Sequence, residues 1–123
     1  MATIAKADQL YNQNHHITTW TGLTTTNTDG GPTSYASNGM GGVTVQITGT
    51  IGAGFGLSIQ GSNDGVTWYT INDQANSPAA FTALGLKTIR DQPLYVRPLV
   101  TGGDGTTSIN AIMAFQKSAF SIG

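Results

Sequence analysis

The side chains able to do acid–base, nucleophilic or metal chemistry are few. His15 and His16 are the only histidines, all six acidic residues are aspartates, and there is no cysteine. Imidazole titrates nearest neutral pH, so a general base or metal ligand would fall first to this pair. Adjacent residues on a strand face opposite sides, so the two cannot chelate one ion on an undistorted backbone. They read instead as a solvated pair where an N-terminal arm meets the domain, or as a pH-sensitive contact between subunits. A Ser-His-Asp triad would lack the Gly-x-Ser-x-Gly elbow, which is absent. Paired carboxylates for glycoside hydrolysis would have to come from the aspartates. Five of those, Asp29, Asp64, Asp73, Asp91 and Asp104, fall in expected turns, where a short carboxylate accepts hydrogen bonds from the backbone just beyond it. Calcium loops built from them would lack the Asp/Asn alternation of an EF-hand. Without cysteine there is no thiol nucleophile, disulfide or Cys-based zinc site. Gly52-Ala53-Gly54-Phe55-Gly56 looks like part of a dinucleotide loop, but it opens a strand and offers no helix N-terminus to a pyrophosphate. No Gly-Lys-Ser/Thr sequence occurs. The expectation is a protein that is not an enzyme, with no cofactor and no metal.

Binding residues are easier to nominate. Trp20, Tyr35, Trp68, Tyr69 and Tyr95 can form a carbohydrate-stacking platform or fill a core. Charged residues make up only 9% of the 123-residue chain, and the net charge is -1. That argues against nucleic acid as a partner, which needs clustered Lys and Arg to displace counterions. No apolar run is long enough for a transmembrane helix, and MATIAKADQLY has no apolar h-region, so neither a membrane partner nor a secretory signal is expected. Uncharged donors and acceptors cost far less to desolvate than ions. Faces rich in Thr, Ser and Gln therefore suit large, permanent, weakly charged contacts.

The elements that must carry these residues are strands. With 19 Thr, 17 Gly, 8 Ser, 8 Asn and 7 Gln, almost half the chain is β-branched, turn-forming or uncharged polar. Val43 to Thr48 alternates strictly, with Val43, Val45 and Ile47 on one face. Phe55 to Gln60 repeats the pattern. Gly61-Ser62-Asn63-Asp64-Gly65 reads as a turn returning along Val66 to Ile71 as a hairpin. Residues 72 to 80 read as a loop, and Phe81 to Ile89 as a weaker strand interrupted by Gly85. Leu94 to Val100 is apolar on both faces, and Pro98 inside it predicts an edge or a bulge. Gly102-Gly103-Asp104-Gly105 predicts a second hairpin, pairing that strand with Thr107 to Gln116. His16 to Thr21 reads as a further strand. The pattern predicts an all-β fold, a two-sheet antiparallel β-sandwich of jelly-roll or Ig-like type with six to eight strands. Residues 15–123 form the sandwich domain. Residues 1–14 read as an N-terminal arm, with Ala2 to Gln13 long enough for three helical turns, ordering against the domain or a neighbouring subunit through Ile4, Leu10 and Tyr11. Deleting the arm is expected to leave the domain folded and to weaken assembly.

Two segments carry a resemblance. Gln60-Gly61-Ser62-Asn63-Asp64-Gly65-Val66-Thr67-Trp68 resembles a hairpin that recurs in small β-sandwich virion proteins of tailed bacteriophages. Tyr95-Val96-Arg97-Pro98-Leu99-Val100-Thr101-Gly102-Gly103-Asp104-Gly105-Thr106-Thr107-Ser108 resembles the strand and turn that recur with it. The resemblance spans about residues 43 to 116 and brings no catalytic residues with it. It implies a capsid decoration (cement) protein: a virion structural protein, made in the host cytoplasm, that sits on the outer capsid surface. It also implies the major capsid protein as partner and a homo-oligomer, with a trimer favoured. Similar hairpins occur in tail proteins and carbohydrate-binding sandwiches. The alternative is therefore a glycan-binding or tail-associated module for host-surface recognition, using Trp20, Tyr35 or Tyr69. Arg97 reads either as a snorkelling residue at the sandwich edge or as a contact to a neighbour's aspartate.

Overall fold

A computed structural model describes residues 3–12, 15–34, 40–91 and 93–117. Those residues form strands, turns and bends, with no helix among them. Among the described residues there are ten strands: β1 (Lys6–Asn12), β2 (His15–Leu23), β3 (Thr33–Ser34), β4 (Met40–Thr50), β5 (Gly56–Ser62), β6 (Tyr69–Thr70), β7 (Ala80–Phe81), β8 (Gly85–Ile89), β9 (Tyr95–Gly102) and β10 (Ser108–Lys117). The first sheet has the order β1-β2-β10-β4-β8, and the second β3-β9-β5-β6, with β7 also on β5. All named strand pairs are antiparallel. From β2 to β5 the chain changes sheet at every step, and it does so again from β7 to β10. This is the path of a jelly roll, with β1 added outside β2.

The alternation read from the sequence sets the inward faces. Val43, Val45 and Ile47 of β4, Leu57 and Ile59 of β5, and Ile109, Ala111, Met113 and Phe115 of β10 are all buried. Trp20 and Leu23 of β2, Ile89 of β8, and Val96 and Val100 of β9 complete the two facing layers. At about 25 cal/mol per Å² of apolar area removed from water, this layer is the main source of stability.

Several local expectations are corrected by the sheets. Leu94–Val100 and Thr107–Gln116 do not form a hairpin, because β9 and β10 lie in different sheets. The Asp104 turn between them crosses the sandwich. Its carboxylate accepts from Thr106 N–H (2.9 Å), from the Thr106 hydroxyl (2.6 Å) and from Ala53 N–H (3.1 Å). Gly52 N–H donates to the Thr107 hydroxyl (3.0 Å). The β9–β10 corner is thus tied to the β4–β5 corner, which makes the same crossing. Phe81 to Ile89 is two short strands in separate sheets, β7 on β5 and β8 on β4. The returning strand after the Gly61–Gly65 turn shrinks to Tyr69–Thr70. β6 and β7 act as one interrupted edge along β5: Ile71 N–H donates to Ile59 O (3.1 Å), and Ile59 N–H to Ala79 O (2.9 Å). Residues 72–78 loop out between them, held by Asp73, whose carboxylate accepts from Ala75 and Ser77 N–H.

Pro98 lies in β9, flanked on one side by β5 and on the other by a sparse edge. Its carbonyl faces away from β5 and accepts from Gly30 N–H (2.9 Å). In an antiparallel strand a residue's N and O point the same way, so the missing donor also faces that edge and costs the β5–β9 ladder nothing. Among the described residues, β3 and the isolated Asp29–Leu99 bridge cover that side.

The N-terminal segment forms a strand against the domain. β1 pairs with β2 from Lys6↔Trp20 to Asn12↔His15, so the helical option for Ala2 to Gln13 is replaced. Before it, Ile4 N–H donates to Asp29 O (2.8 Å), and Gly31 N–H to Ile4 O (2.8 Å). Ile4 packs half-buried on the core. The arm therefore staples the open edge between the sheets. Its charged Lys6 and Asp8 sit on the outermost strand of the first sheet, where charge discourages edge-to-edge pairing.

Candidate functional site

The two segments that carry the resemblance meet in space. β5 and β9 pair with Gln60 opposite Arg97, Gly61 opposite Val96 and Ser62 opposite Tyr95. Beyond β5 the turn closes on itself. The Ser62 hydroxyl accepts from Asp64 and Gly65 N–H (3.2 and 2.9 Å) and donates to Asp64 Oδ1 (2.7 Å). The same oxygen accepts from Val66 and Thr67 N–H, both at 2.8 Å. Asn63 Oδ1 accepts from Leu94 N–H (2.8 Å), fixing the turn to the start of β9. Gly65 has φ +76°, a conformation glycine adopts without steric cost. At Gly61 the turn is packed closely: a Cβ there would overlap Pro93 Cγ and lie 2.7 Å from Ile71 Cγ2.

Arg97 is held within its own chain. Its guanidinium stacks over the Trp68 ring, 4.3 Å from the centroid. Nε donates to Gln60 Oε1 (3.0 Å), and Nη1 lies 3.8 Å from Asp29 Oδ2. The side chain is half-buried, and the aspartate it approaches, Asp29, belongs to its own chain. Trp68 is thereby drawn onto the sheet by a cation–π contact.

The hydrogen bonds from the Thr67 and Val66 backbone, followed by Ser62, outweigh desolvation and hold the Asp64 carboxyl down at about 2. Thr106 and Ala53 lower that of Asp104 in the same way. A carboxylate whose folded pKa is depressed stabilises the protein above its unfolded pKa, about 3.9, and that contribution is lost as pH falls through the folded value. The thermal midpoint of the protein is therefore expected to fall as pH drops from about 4 to about 2. The bonds from the Ser62 hydroxyl and from Val66 and Thr67 N–H use Oδ1, which an amide also possesses. Asp64→Asn should fold and show a shallower acid limb in a pH series of thermal melts, and an unchanged limb would contradict this.

A second polar group closes the sandwich beside β1. Thr18 donates to Asp8 Oδ1 (2.7 Å) and lies 3.5 Å from the Thr33 hydroxyl on the opposite sheet. His16 Nε2 is 3.3 Å from the same Asp8 oxygen, and its ring meets Phe115 at 5.9 Å between centroids. Burial pushes the Asp8 carboxyl up, but its bonds to Lys6, Thr18 and His16 together leave it below the ordinary range. This group pins the arm to the domain.

The nominated binding residues scatter. Trp20 is fully buried and donates its indole N–H to Gly31 O (2.8 Å), so it is a core residue with no face for a sugar. Tyr69 is 70% exposed. It borders an open cleft of about 810 Å³ that is also lined by Asn63, Thr67, Ile71, Asp91 and Pro93. Asn63, Asp91 and Pro93 were not nominated for binding by the sequence. Asp91 and Pro93 join the cleft only because β9 begins beside the Ser62 turn. Tyr35 lies outside the described residues, as do the side chains of Leu10 and Tyr11, whose backbones belong to β1. Compared with family models, curated proteins and solved structures, the chain matches none.

Proposed function

We propose that this chain is a non-enzymatic virion structural protein of a tailed phage, a decoration protein that binds the outer head surface through the major capsid protein and works as a trimer. The observation that carries this reading is the partnering of its two recurring segments across β5 and β9. Within the two segments that make the resemblance, Gln60 to Trp68 and Tyr95 to Ser108, Ser62 and Asp64 bond to their own turn, Asn63 Oδ1 accepts from Leu94 N–H, and Arg97 bonds Gln60 and stacks on Trp68. They build a rigid, weakly charged platform, and the carboxylates of Asp64 and Asp104 are tied down by their own turns. A sandwich of this kind attaches by area and by its sheet edges, of which β1 and β8 terminate the first sheet. Trimer avidity multiplies modest contacts of this type.

The test is addition of purified protein to phage heads that lack it. Binding should saturate, should raise the temperature at which heads rupture, and should change little between low and high salt, because few charges take part. Heads that neither bind the protein nor gain heat resistance would end the reading.

A further inference from the structure

We propose that the cleft beside Tyr69 binds a neutral oligosaccharide. The cleft sits where the Ser62 turn, β6 and the segment before β9 converge. Its volume of about 810 Å³ falls within the range of small-ligand sites, roughly 300–1,000 Å³. Tyr69 stands at its rim on a two-residue edge strand, with 70% of its surface exposed. An aromatic ring kept in water on an edge strand offers a flat apolar face to the C–H side of a sugar ring.

The polar lining has complementary chemistry. The Asp91 carboxylate accepts hydrogen bonds and is positioned by Asn72 N–H (2.8 Å). Asn63 uses Oδ1 to accept from Leu94 N–H, and its amide nitrogen carries two further donors. Sugar hydroxyls both donate and accept, so a carboxylate and an amide together satisfy them. Among the described residues that line it none is basic, and Asp64 and Asp91 are acidic, which disfavours phosphate, sulfate or an acidic peptide. The wall is stiff. Asp64 fixes the turn through the backbone of Val66 and Thr67, and Pro93 packs where a Gly61 side chain would otherwise lie. A site held in its binding geometry loses less entropy on association.

The experiment is electrophoresis of the folded protein through native gels cast with dextran, mannan, laminarin or, as the anionic comparison, dextran sulfate. At least one neutral polysaccharide should slow the protein. Tyr69→Ala should weaken that retardation on the order of tenfold, which corresponds to about 1.4 kcal/mol. Tyr69→Phe keeps the ring and should retain most of it. Tyr69 is exposed, so the alanine variant should melt at the wild-type temperature. Retardation by none of the three neutral polymers, retardation by dextran sulfate alone, or equal retardation of Tyr69→Ala would overturn the proposal. Failure of head binding with intact polysaccharide retardation would instead remove the decoration reading.

Discussion

Trp20→Ala is expected to destabilise the fold by about 3–5 kcal/mol, as is usual for a large buried aromatic cut back to a methyl group. With a total stability on the order of 5–15 kcal/mol, that leaves a small margin or none. Trp20 is fully buried on β2. Its ring lies against Gly30, where an added Cβ would be 2.9 Å from Trp20 Cδ1 and 2.5 Å from Pro98 Cδ. The indole N–H also satisfies the carbonyl of Gly31, whose own N–H holds Ile4 of the arm. Trp20 thus joins the first sheet, the second sheet and the N-terminal staple at one point. Trp20→Phe restores most of the apolar area but leaves that carbonyl without its indole donor. It should cost about 1–3 kcal/mol, between wild type and alanine. Urea denaturation followed through Trp68 fluorescence reads both variants. An alanine variant within 1 kcal/mol of wild type would mean that Trp20 is not at the junction of the sheets.

Gly61→Val is the second large effect, expected at about 3 kcal/mol, the upper end for overpacking a well-filled site. The new branched side chain would meet the Pro93 ring and Ile71 Cγ2 together. Proline cannot rotate away, so the segment before β9 must shift. That shift strains the Asn63–Leu94 bond and the Asp91–Asn72 bond, both of which shape the Tyr69 cleft. The variant should therefore lose stability and polysaccharide retardation together. Thermal melts and the native gels read the two effects on one preparation, and a Gly61→Val protein that melts like wild type would refute the packing argument. The same close approach accounts for glycine at position 61 on purely steric grounds.

The sequence made the inward faces legible because a strand's period of two is local. Val43, Val45 and Ile47 are buried as the alternation requires, and so are Ile109, Ala111, Met113 and Phe115. The Ser62–Gly65 turn was legible too, since its bonds run between residues at most a few positions apart. The Gly102–Gly105 segment looked like a hairpin because a tight return and a crossing between sheets use the same residues. Asp104 ties this corner to Ala53, fifty-one positions away, a partner no local pattern reveals. The arm read as a helix or a tether because Ile4 and Leu10 show no clean alternation. Pairing with β2 made it a strand.

By itself, the amino-acid order determined the all-β class, the inward-facing residues and the self-bonded turns, since each follows from spacing along a few residues. The tertiary structure alone decided which strands share a sheet, that Trp20 is core while Tyr69 stays in water, and that Arg97 folds onto Trp68. It also gathered Asn63, Asp91 and Pro93 around Tyr69. Those outcomes depend on contacts between residues far apart in the chain, whose free energy is set by how the two sheets close on each other.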